Sequence, residues 1–420
     1  MPSTLRVAVL VDLHRSPQAG GHVKCWERLG AATVANDLPL DLTIYFSGDE
    51  ATEILGPYTR FRALPPVFST ENLKFLPYVP DHTDLGWYHR KLGQELRQYD
   101  VIHTTDAFFA FAQTAERISN EYRIPLVTSF HTDTPSYTRI FTRQTIESLF
   151  GGGWLGRKMI RDWNVPERKG RSMDRKLAQH VSLCHTALVT REEDHVLAEK
   201  ILGKEHVHHL RLGVDKAVFG PHRADRSGVE QEYNIPPGHI AVLFVGRIDV
   251  GKNILTLVDA MEKCIAAGTP LHLIAAGQGP ASAYVKQRLG AHASLPGFVP
   301  PEKLARLYAS VDCLALSSEV EIRSMAGVEA MASSCPVLVS RKSGVAQLFN
   351  HTPAMQTVES GVANWAEALR LFAADPALRQ RMRVAALDYS RNHLASWNDV
   401  LAEDLFIVWK EAAEKCKRAA

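Results

Sequence analysis

Short apolar runs alternate with amphipathic stretches along the chain. Each run is rich in β-branched and aliphatic residues, which predicts a buried strand. The predicted strands of the first half are residues 6–11, 41–46, 101–104, 126–130 and 187–190. Between two of them, a helix face is predicted from Phe108, Phe111, Ala115, Ile118 and Tyr122. Apolar strands that alternate with helices are typical of parallel sheets covered on both faces.

The same pattern restarts in the second half. IAVLFVGR, beginning at Ile240, predicts a strand, and LHLIAAG, DCLALSS and PVLVS predict three more. The first helix face of this half is predicted from Ile254, Leu257, Val258, Met261 and Ile265. We therefore expect two successive doubly wound α/β domains. The polar stretch PHRADRSGVEQEYNIPPG, which starts at Pro221, predicts a boundary between domains at residues 1–220 and 221–397.

Composition excludes several classes of protein. The 420 residues are 45% hydrophobic and 22% charged, with a net charge of +2, so no basic field indicates nucleic-acid binding. No apolar run approaches the roughly 20 residues of a membrane span, and the first strand lacks the features of a signal peptide. The six cysteines form no C-x-x-C pair, which favours reduced thiols over disulfides or zinc. We expect a cytoplasmic protein whose membrane contact, if any, is peripheral.

A first candidate site lies in VGRIDVGKN, residues 245–253. A predicted strand ends at Gly246, and Arg247 and Lys252 follow before a helix. Open α/β sheets bind ligands at the carboxyl ends of their strands, and two cations beside a helix N-terminus suit a diphosphate. The alternative interpretation is two solvated loop cations.

A second candidate site lies in SSEVEIRSMAGVEAMASSCPVLVS, residues 317–340. Glu319 and Glu321 occupy a predicted loop, whereas Glu329 lies in a predicted helix among small and apolar residues. An ionised carboxylate in such a helix is costly unless it is paired or binds a ligand. Glu329 could accept ribose hydroxyls and Glu321 sugar hydroxyls. The alternative is a buried glutamate that bonds to the backbone or to a basic residue.

These segments resemble the retaining glycosyltransferases of family four, which have the GT-B fold. Glu321, seven intervening residues and Glu329, followed by AMA and PVLV, are similar to that family's signature. RLGVDKAVF, VGRIDVGKN, AAGQGP and LPGFVPPEKLARLYASVDCLALSS resemble its other elements in order and spacing. The resemblance implies two facing Rossmann-like domains with a cleft between them. It also implies that a C-terminal helix at about residues 398–420 packs back on the first domain.

The resemblance also implies roles for individual residues. Arg247 and Lys252 would hold the donor diphosphate, Glu329 the nucleotide ribose, and Glu321 the donor sugar. In the first domain, the glycine loop QAGGHVKCWERL and the segment SFHTDTPSYT resemble family elements. There His131 would lie near the reacting centre. The glycines and the helix-start residues implied at the donor site are Gly20, Gly21, Gly246, Gly277, Arg323 and Ser324.

The chain departs from the family pattern at one motif. Ile322, Arg323 and Ser324 follow Glu321, where the family usually has Glu-x-Phe-Gly. Ser324 at a helix start could still donate to a phosphate through its amide and hydroxyl. Leu212 replaces the usual asparagine before Gly213.

The implied reaction transfers a hexose from a nucleotide-diphosphate sugar to a glycan or lipid acceptor with retention of configuration. Arg247 and Lys252 would stabilise the leaving diphosphate. No D-x-D motif is placed to hold a metal, so we expect metal-independent transfer with the nucleotide sugar as co-substrate and no cofactor. The alternative function is a catalytically degenerate GT-B scaffold that binds a glycan or a partner. A dehydrogenase is disfavoured because no G-x-G-x-x-G follows the first strand.

The acceptor side is suggested by a basic stretch from Arg157 to Lys176. Its eight cations outnumber its three acids, and Trp154 and Trp163 lie nearby. Such a stretch could dock on anionic lipid headgroups, or it could be a solvated helix. His206, His208 and His209 suggest alternation along a strand rather than a metal site.

Overall fold

Two doubly wound α/β units make up the chain in the computed structural model, which describes residues 4–72, 84–151, 153–349 and 352–419. One unit comprises Met1–Arg211 with Trp397–Ala420, and the other comprises Leu212–Ser396. The division therefore falls earlier in the chain than residue 221. Val214 and Phe219 belong to the second unit's core, and the Val214 amide donates to the Ala395 carbonyl at 3.0 Å.

The first unit is built on an eight-stranded sheet in the order β3-β4-β2-β1-β5-β6-β7-β8. Its strands are β1 (Leu5–His14), β2 (Leu40–Ser47), β3 (Ala51–Gly56), β4 (Thr59–Leu64), β5 (Val101–Thr104), β6 (Leu126–Ser129), β7 (Thr186–Val189) and β8 (Val207–His209). Its helices before the second unit are α1 (Gly21–Val34), α2 (Arg90–Glu95), α3 (Ala110–Tyr122), α4 (Thr134–Phe150), α5 (Trp154–Arg161), α6 (Val165–Leu183) and α7 (Glu192–Leu202).

All five strands predicted in this half are present, and they pair in parallel. The hairpin of β3 and β4 was not predicted. Strand β3 pairs antiparallel with β4 at the sheet edge and is largely exposed, so it lacks the apolar run that marks a central strand.

The second unit has a six-stranded parallel sheet in the order β11-β10-β9-β12-β13-β14. Its strands are β9 (Ile240–Val245), β10 (Leu271–Ala276), β11 (Ala293–Gly297), β12 (Cys313–Leu316), β13 (Val337–Ser340) and β14 (Met355–Val358). Its helices are α8 (Arg226–Glu232), α9 (Ile254–Ala266), α10 (Ser282–Leu289), α11 (Pro301–Ser310), α12 (Met325–Ala332), α13 (Gly344–Leu348), α14 (Val362–Ala374) and α15 (Pro376–Asn392).

Strand β9 shows why this sheet is covered on both faces. Ala241 and Leu243 join one core cluster, whereas Val242 and Phe244 join the other. Successive side chains of a strand point to opposite faces, so a continuous apolar run fits a sheet with helices on each side. The predicted doubly wound parallel α/β architecture is confirmed in both units.

The C-terminal segment returns to the first unit. It runs through α16 (Trp397–Asp399), a π-helical turn (Val400–Phe406) and α17 (Ile407–Ala419). The buried side chains of this segment include Leu401, Leu405, Val408 and Trp409. Arg211, at the end of the unit's first segment, pairs with Asp404 at 2.6 Å.

The six cysteines are free thiols, and all but Cys416 are buried. No helix in the described part of the chain combines the length and apolar character needed to cross a membrane.

One buried ion pair joins three elements of the first unit. His180 of α6 is 1% exposed; its Nδ1 lies 2.5 Å from Glu116 Oε1 of α3, and its Nε2 lies 2.8 Å from Thr104 Oγ1 of β5. Burial by itself would lower the pKa of His180, but the opposing interactions with Cys184 and Glu116 raise it to about 10. We attribute the raised pKa mainly to the Glu116 carboxylate, because an opposite charge at this distance favours the imidazolium.

Replacing Glu116 by Gln should therefore lower the free energy of unfolding by about 2 kcal/mol at pH 6. Because the folded pKa of His180 exceeds its ordinary value of 6.5, the contribution is fully present below about pH 6.5. It declines as the pH rises and is lost above about pH 10. Urea unfolding at pH 6, 8 and 10 measures the difference from wild type. Glu121→Gln, at an exposed position of the same helix, is the control; a pH-independent difference for Glu116→Gln would contradict the assignment.

Candidate functional site

Two glycines bring the carboxyl ends of β9 and β10 close together. Gly246 and Gly277 have φ of +141° and +149°, and a Cβ on Gly277 would lie 1.9 Å from the Gly246 carbonyl oxygen. Only glycine accepts both this backbone conformation and this close approach. The two predicted glycines therefore shape the edge of the second sheet from which the candidate loops extend.

Asp249 organises the loop that follows β9. It is fully buried, and its carboxylate accepts from Arg247 Nε at 3.0 Å and from the Lys252 amide at 3.0 Å. The second bond caps the short 3-10 turn Val250–Lys252. Asp249 was not singled out in the sequence, although an aspartate between the two candidate cations is the signal that could have found it.

Lys252 and Glu321 form an ion pair between the loops after β9 and β12. Lys252 Nζ lies 2.8 Å from Oε1 and 2.6 Å from Oε2 of Glu321, and about a fifth of each side chain is exposed. The structure thus brings together two residues that the sequence placed in separate motifs. A paired, partly desolvated cation and anion suit a ligand that carries both phosphate and hydroxyl groups.

Neutral hydrogen bonds fix the same two loops. Asn253 Nδ2 donates to the Ser317 carbonyl at 3.1 Å, and Ser317 Oγ donates to the Lys252 carbonyl at 3.0 Å. The Gly344 amide at the start of α13 donates to the Glu321 carbonyl at 2.8 Å. The positions of Lys252 and Glu321 therefore do not depend on their ion pair alone.

Glu329 lies on α12 and is half-buried. Its Oε2 accepts from the Tyr308 hydroxyl of α11 at 3.2 Å. Tyr308 is fully buried, and burial together with the nearby Glu329 carboxylate raises its pKa well above the usual range. Tyr308 is therefore a neutral hydrogen-bond donor to Glu329, a partner that sequence patterns did not indicate.

The start of α12 contains the two helix-start residues that the resemblance places at the donor site. Ser324 is the N-cap residue, and its Oγ accepts from the Gly327 amide at 3.1 Å. Both Ser324 and Arg323 are buried, with relative exposures of 3% and 8%. Arg323 is therefore not a solvated loop cation.

The first unit contains the other sequence-identified residues. Gly20 is the N-cap of α1 and Gly21 its first residue. A side chain added at Gly20 would meet no atom within 4 Å, so packing within the described part of the chain does not require glycine there. The glycine loop therefore leaves open space at a helix N-terminus, where backbone amides attract anions.

His131 follows β6 and is held by its neighbours on several sides. Its ring stacks on His22 of α1, with centroids 4.3 Å apart and planes 3° apart, and Trp26 lies at 5.8 Å. Its Nε2 lies 2.8 Å from Ser129 Oγ. His22 and Trp26 were not predicted as site residues, although both fall on one face of the helix that follows the glycine loop.

Among the described residues, no group of three or more His, Cys, Asp or Glu side chains is arranged to hold a metal ion. His208 and His209 lie on β8, as the alternating pattern suggested, and His206 immediately precedes that strand.

Comparisons with known proteins agree with this architecture. Residues 225–388 match the model of the family described as Glycosyl transferases group 1. No curated protein matches the chain.

The chain is similar over its full length to several solved structures. Sucrose-phosphate synthase from Thermosynechococcus elongatus has a TM-score of 0.69 at 17% identity, covering 99% of this chain and 100% of that one. HepE from Anabaena, in complex with UDP and glucose, has a TM-score of 0.64 at 15% identity, covering 98% and 99%. WaaG, a glycosyltransferase involved in lipopolysaccharide biosynthesis, has a TM-score of 0.61 at 13% identity, covering 98% and 99%. These likenesses confirm the GT-B fold.

The Gly246–Gly277 contact generates a prediction about stability. Gly277→Ala should lower the free energy of unfolding by about 3 kcal/mol, because it meets both an unfavourable φ and the Gly246 carbonyl. Gly268→Ala is the matched control, since Gly268 has a φ of +85° but open space around its Cβ position. Its cost should be about 1 kcal/mol. Equal losses for the two variants in urea titrations would show that the close approach is not a constraint.

Proposed function

We propose that this chain, whose residues 225–388 match the glycosyl transferases group 1 model, transfers a hexose from a nucleoside-diphosphate sugar to a glycan or lipid acceptor with retention of anomeric configuration. The observation that carries the proposal is the Lys252–Glu321 ion pair at the carboxyl edge of the second sheet, where Arg247 follows β9 and Glu329 lies on the helix after β12. The UDP and glucose bound by HepE support a nucleotide sugar as the donor class.

In the proposed donor complex, Lys252 exchanges its Glu321 carboxylate for a phosphate oxygen. The released Glu321 carboxylate then accepts hydrogen bonds from hydroxyls of the donor sugar. This exchange replaces one ion pair by another, so the diphosphate enters without leaving Lys252 unpaired. Arg247, fixed by Asp249, supplies the second positive charge.

Glu329 is proposed to accept the two hydroxyls of the nucleotide ribose. A carboxylate can accept both hydrogen bonds of a diol, and a charged acceptor makes these bonds stronger than a neutral one would. The Tyr308 hydroxyl, which donates to Oε2 of Glu329, would restrict the rotation of the carboxylate.

The chemical step breaks the bond between the sugar C1 and the diphosphate oxygen and forms a bond from C1 to an acceptor oxygen. In the proposed mechanism, the departing phosphate takes the proton of the acceptor hydroxyl, and the new bond forms on the face that the phosphate leaves. Arg247 and Lys252 stabilise the negative charge that develops on the leaving group. We propose that these two cations suffice and that transfer requires neither a divalent metal nor another cofactor.

Donor binding is tested by a thermal-shift panel of UDP, GDP, ADP and their hexose conjugates, because a ligand of the folded state raises apparent stability. One nucleotide should stabilise the wild type selectively. Glu329→Gln should weaken the binding of that nucleotide by about tenfold to a hundredfold, because the variant loses a charged hydrogen-bond acceptor. Lys252→Met should lower kcat by about a hundredfold.

Lys303→Met, an exposed lysine of the same unit, is the control and should behave as wild type. A folded sample that no nucleotide stabilises would instead support the glycan- or partner-binding scaffold. Wild-type kinetics in Lys252→Met would remove the assigned role of that residue.

We further propose that the first unit makes peripheral contact with an anionic membrane through α5 and α6. The cations from Arg157 to Lys176 are all exposed; they are Arg157, Lys158, Arg161, Arg168, Lys169, Arg171, Arg175 and Lys176. Arg139 of α4 pairs with Glu167 at 3.0 Å and Asp174 at 2.6 Å, so two of the nearby acids are neutralised from another helix.

Aromatic side chains lie beside these cations. Trp154 is 69% exposed and Trp163 47% exposed, and Lys158 Nζ lies 5.7 Å from the Trp163 ring centroid. Exposed tryptophans next to cations suit the interface between lipid headgroups and acyl chains. A lipid acceptor would fit such a surface, which favours the lipid class of acceptor over a free glycan.

Vesicle binding tests the membrane contact. The test variant carries Arg168→Gln, Lys169→Gln and Arg171→Gln. The control carries Lys303→Gln, Lys342→Gln and Arg381→Gln, which change net charge equally at exposed positions of the second unit. In sedimentation with phosphatidylserine-containing vesicles, the test variant should bind at least about tenfold more weakly, since each surface cation contributes about 1 kcal/mol. Equal binding of both variants would refute the contact.

A further inference from the structure

A continuous chain of hydrogen bonds runs from the C-terminal helix to His131. Trp409 Nε1 of α17 donates to His103 Nδ1 of β5 at 2.9 Å. His103 Nε2 lies 2.8 Å from Ser129 Oγ, at the end of β6, and Ser129 Oγ lies 2.8 Å from His131 Nε2. Trp409, His103 and Ser129 are each at most 1% exposed, so solvent does not compete for these bonds.

The donor and acceptor roles in this chain are set at Trp409. An indole N–H can only donate a hydrogen bond, so His103 Nδ1 must be the acceptor. The single proton of a neutral His103 ring then lies on Nε2. Burial lowers the pKa of His103 to about 3, so the ring is neutral throughout the physiological range.

The direction of the remaining bonds follows from Ser129. Its Oγ receives the Nε2–H of His103, and its one hydroxyl proton is assigned to the bond with His131, the only other partner of this Oγ among the described residues. His131 Nε2 is then the acceptor, and a neutral His131 carries its proton on Nδ1. The His131 ring is also oriented by stacking on His22 and by Trp26, whose ring centroid lies 5.8 Å from that of His131. The Trp26 ring also contacts His103 edge-on, with a centroid distance of 5.2 Å.

We propose that Trp409, through His103 and Ser129, holds His131 as the neutral Nδ1–H tautomer, so that His131 serves the reaction as a hydrogen-bond donor and not as the base that receives the acceptor proton. This inference rests on the proposed function and on the family resemblance, which implies that His131 would lie near the reacting centre. Trp409, His103 and Ser129 are positioning residues, because they act on the reaction through His131. A donor at Nδ1 suits a sugar hydroxyl oxygen, and the acceptor proton is left to the departing phosphate.

The tautomer is read directly by long-range ¹H–¹⁵N correlation spectra of the full-length protein labelled at histidine nitrogens. His131→Gln identifies the His131 signals. Wild-type His131 should show a protonated Nδ1 and an unprotonated Nε2. Ser129→Ala and Trp409→Phe should each give a mixture of tautomers at His131, whereas Ser129→Thr, which retains a hydroxyl, should restore the wild-type pattern. An Nε2–H tautomer in the wild type, or no change in Ser129→Ala and Trp409→Phe, overturns the proposal.

Kinetics provide the second readout. Trp409→Phe keeps an aromatic ring but removes the indole N–H. This variant should lower kcat about tenfold and change KM less than twofold, because a residue that sets the tautomer of His131 acts on the chemical step. Trp397→Phe, at a buried position of the same segment, should retain wild-type kcat. Equal losses of kcat in the two variants would indicate a packing effect and contradict the proposal.

The two proposals fail in different ways. The spectra need no donor, so the tautomer can be established even if the protein binds no nucleotide sugar. Selective nucleotide binding together with an unchanged tautomer in Ser129→Ala would contradict the tautomer proposal and leave the proposed function in place.

Discussion

The parallel register of the second sheet is the constraint on which the candidate donor site depends. Strand β9 pairs with β10 on one side and with β12 on the other, so the carboxyl ends of three strands lie at one edge. The loops that leave this edge carry Arg247, Lys252 and Glu321. Gly277 allows the close approach of its own loop to Gly246. Without this alignment, residues almost seventy positions apart along the chain would not meet.

Ion pairs and hydrogen bonds link the polar side chains at this edge. Lys252 pairs with Glu321, Arg247 pairs with Asp249, and Tyr308 donates to Glu329. A partly buried charge is costly when it has no partner, so these contacts hold the side chains in place at low cost. In the proposed donor complex, phosphate oxygens and sugar hydroxyls would replace some of these partners, so the edge would be preorganised for a ligand that is both anionic and rich in hydroxyls.

In the first unit, the chain of hydrogen bonds that includes His103 is buried, and it depends on Trp409 in the last helix. His103 lies inside the sheet, and its Nδ1 receives the indole N–H of Trp409 from 306 residues further along the sequence. The helix α17 therefore contributes more than apolar packing, because it sets the direction of the hydrogen bonds that reach Ser129. Apolar spacing indicates which face of such a helix is buried, but it carries no information about where the indole N–H of Trp409 points.

The sequence by itself determined the α/β class, the central strands and the candidate motifs, because apolar periodicity and local charge patterns are properties of neighbouring residues. It did not reveal the β3–β4 hairpin, whose exposed edge strand lacks that periodicity, or the early division of the units at Arg211. Only the tertiary structure decided that Lys252 meets Glu321, that Tyr308 bonds to Glu329 and that Trp409 reaches His103. Each of these contacts joins side chains from separate elements, and strand order and register, not local sequence, set the distance between them.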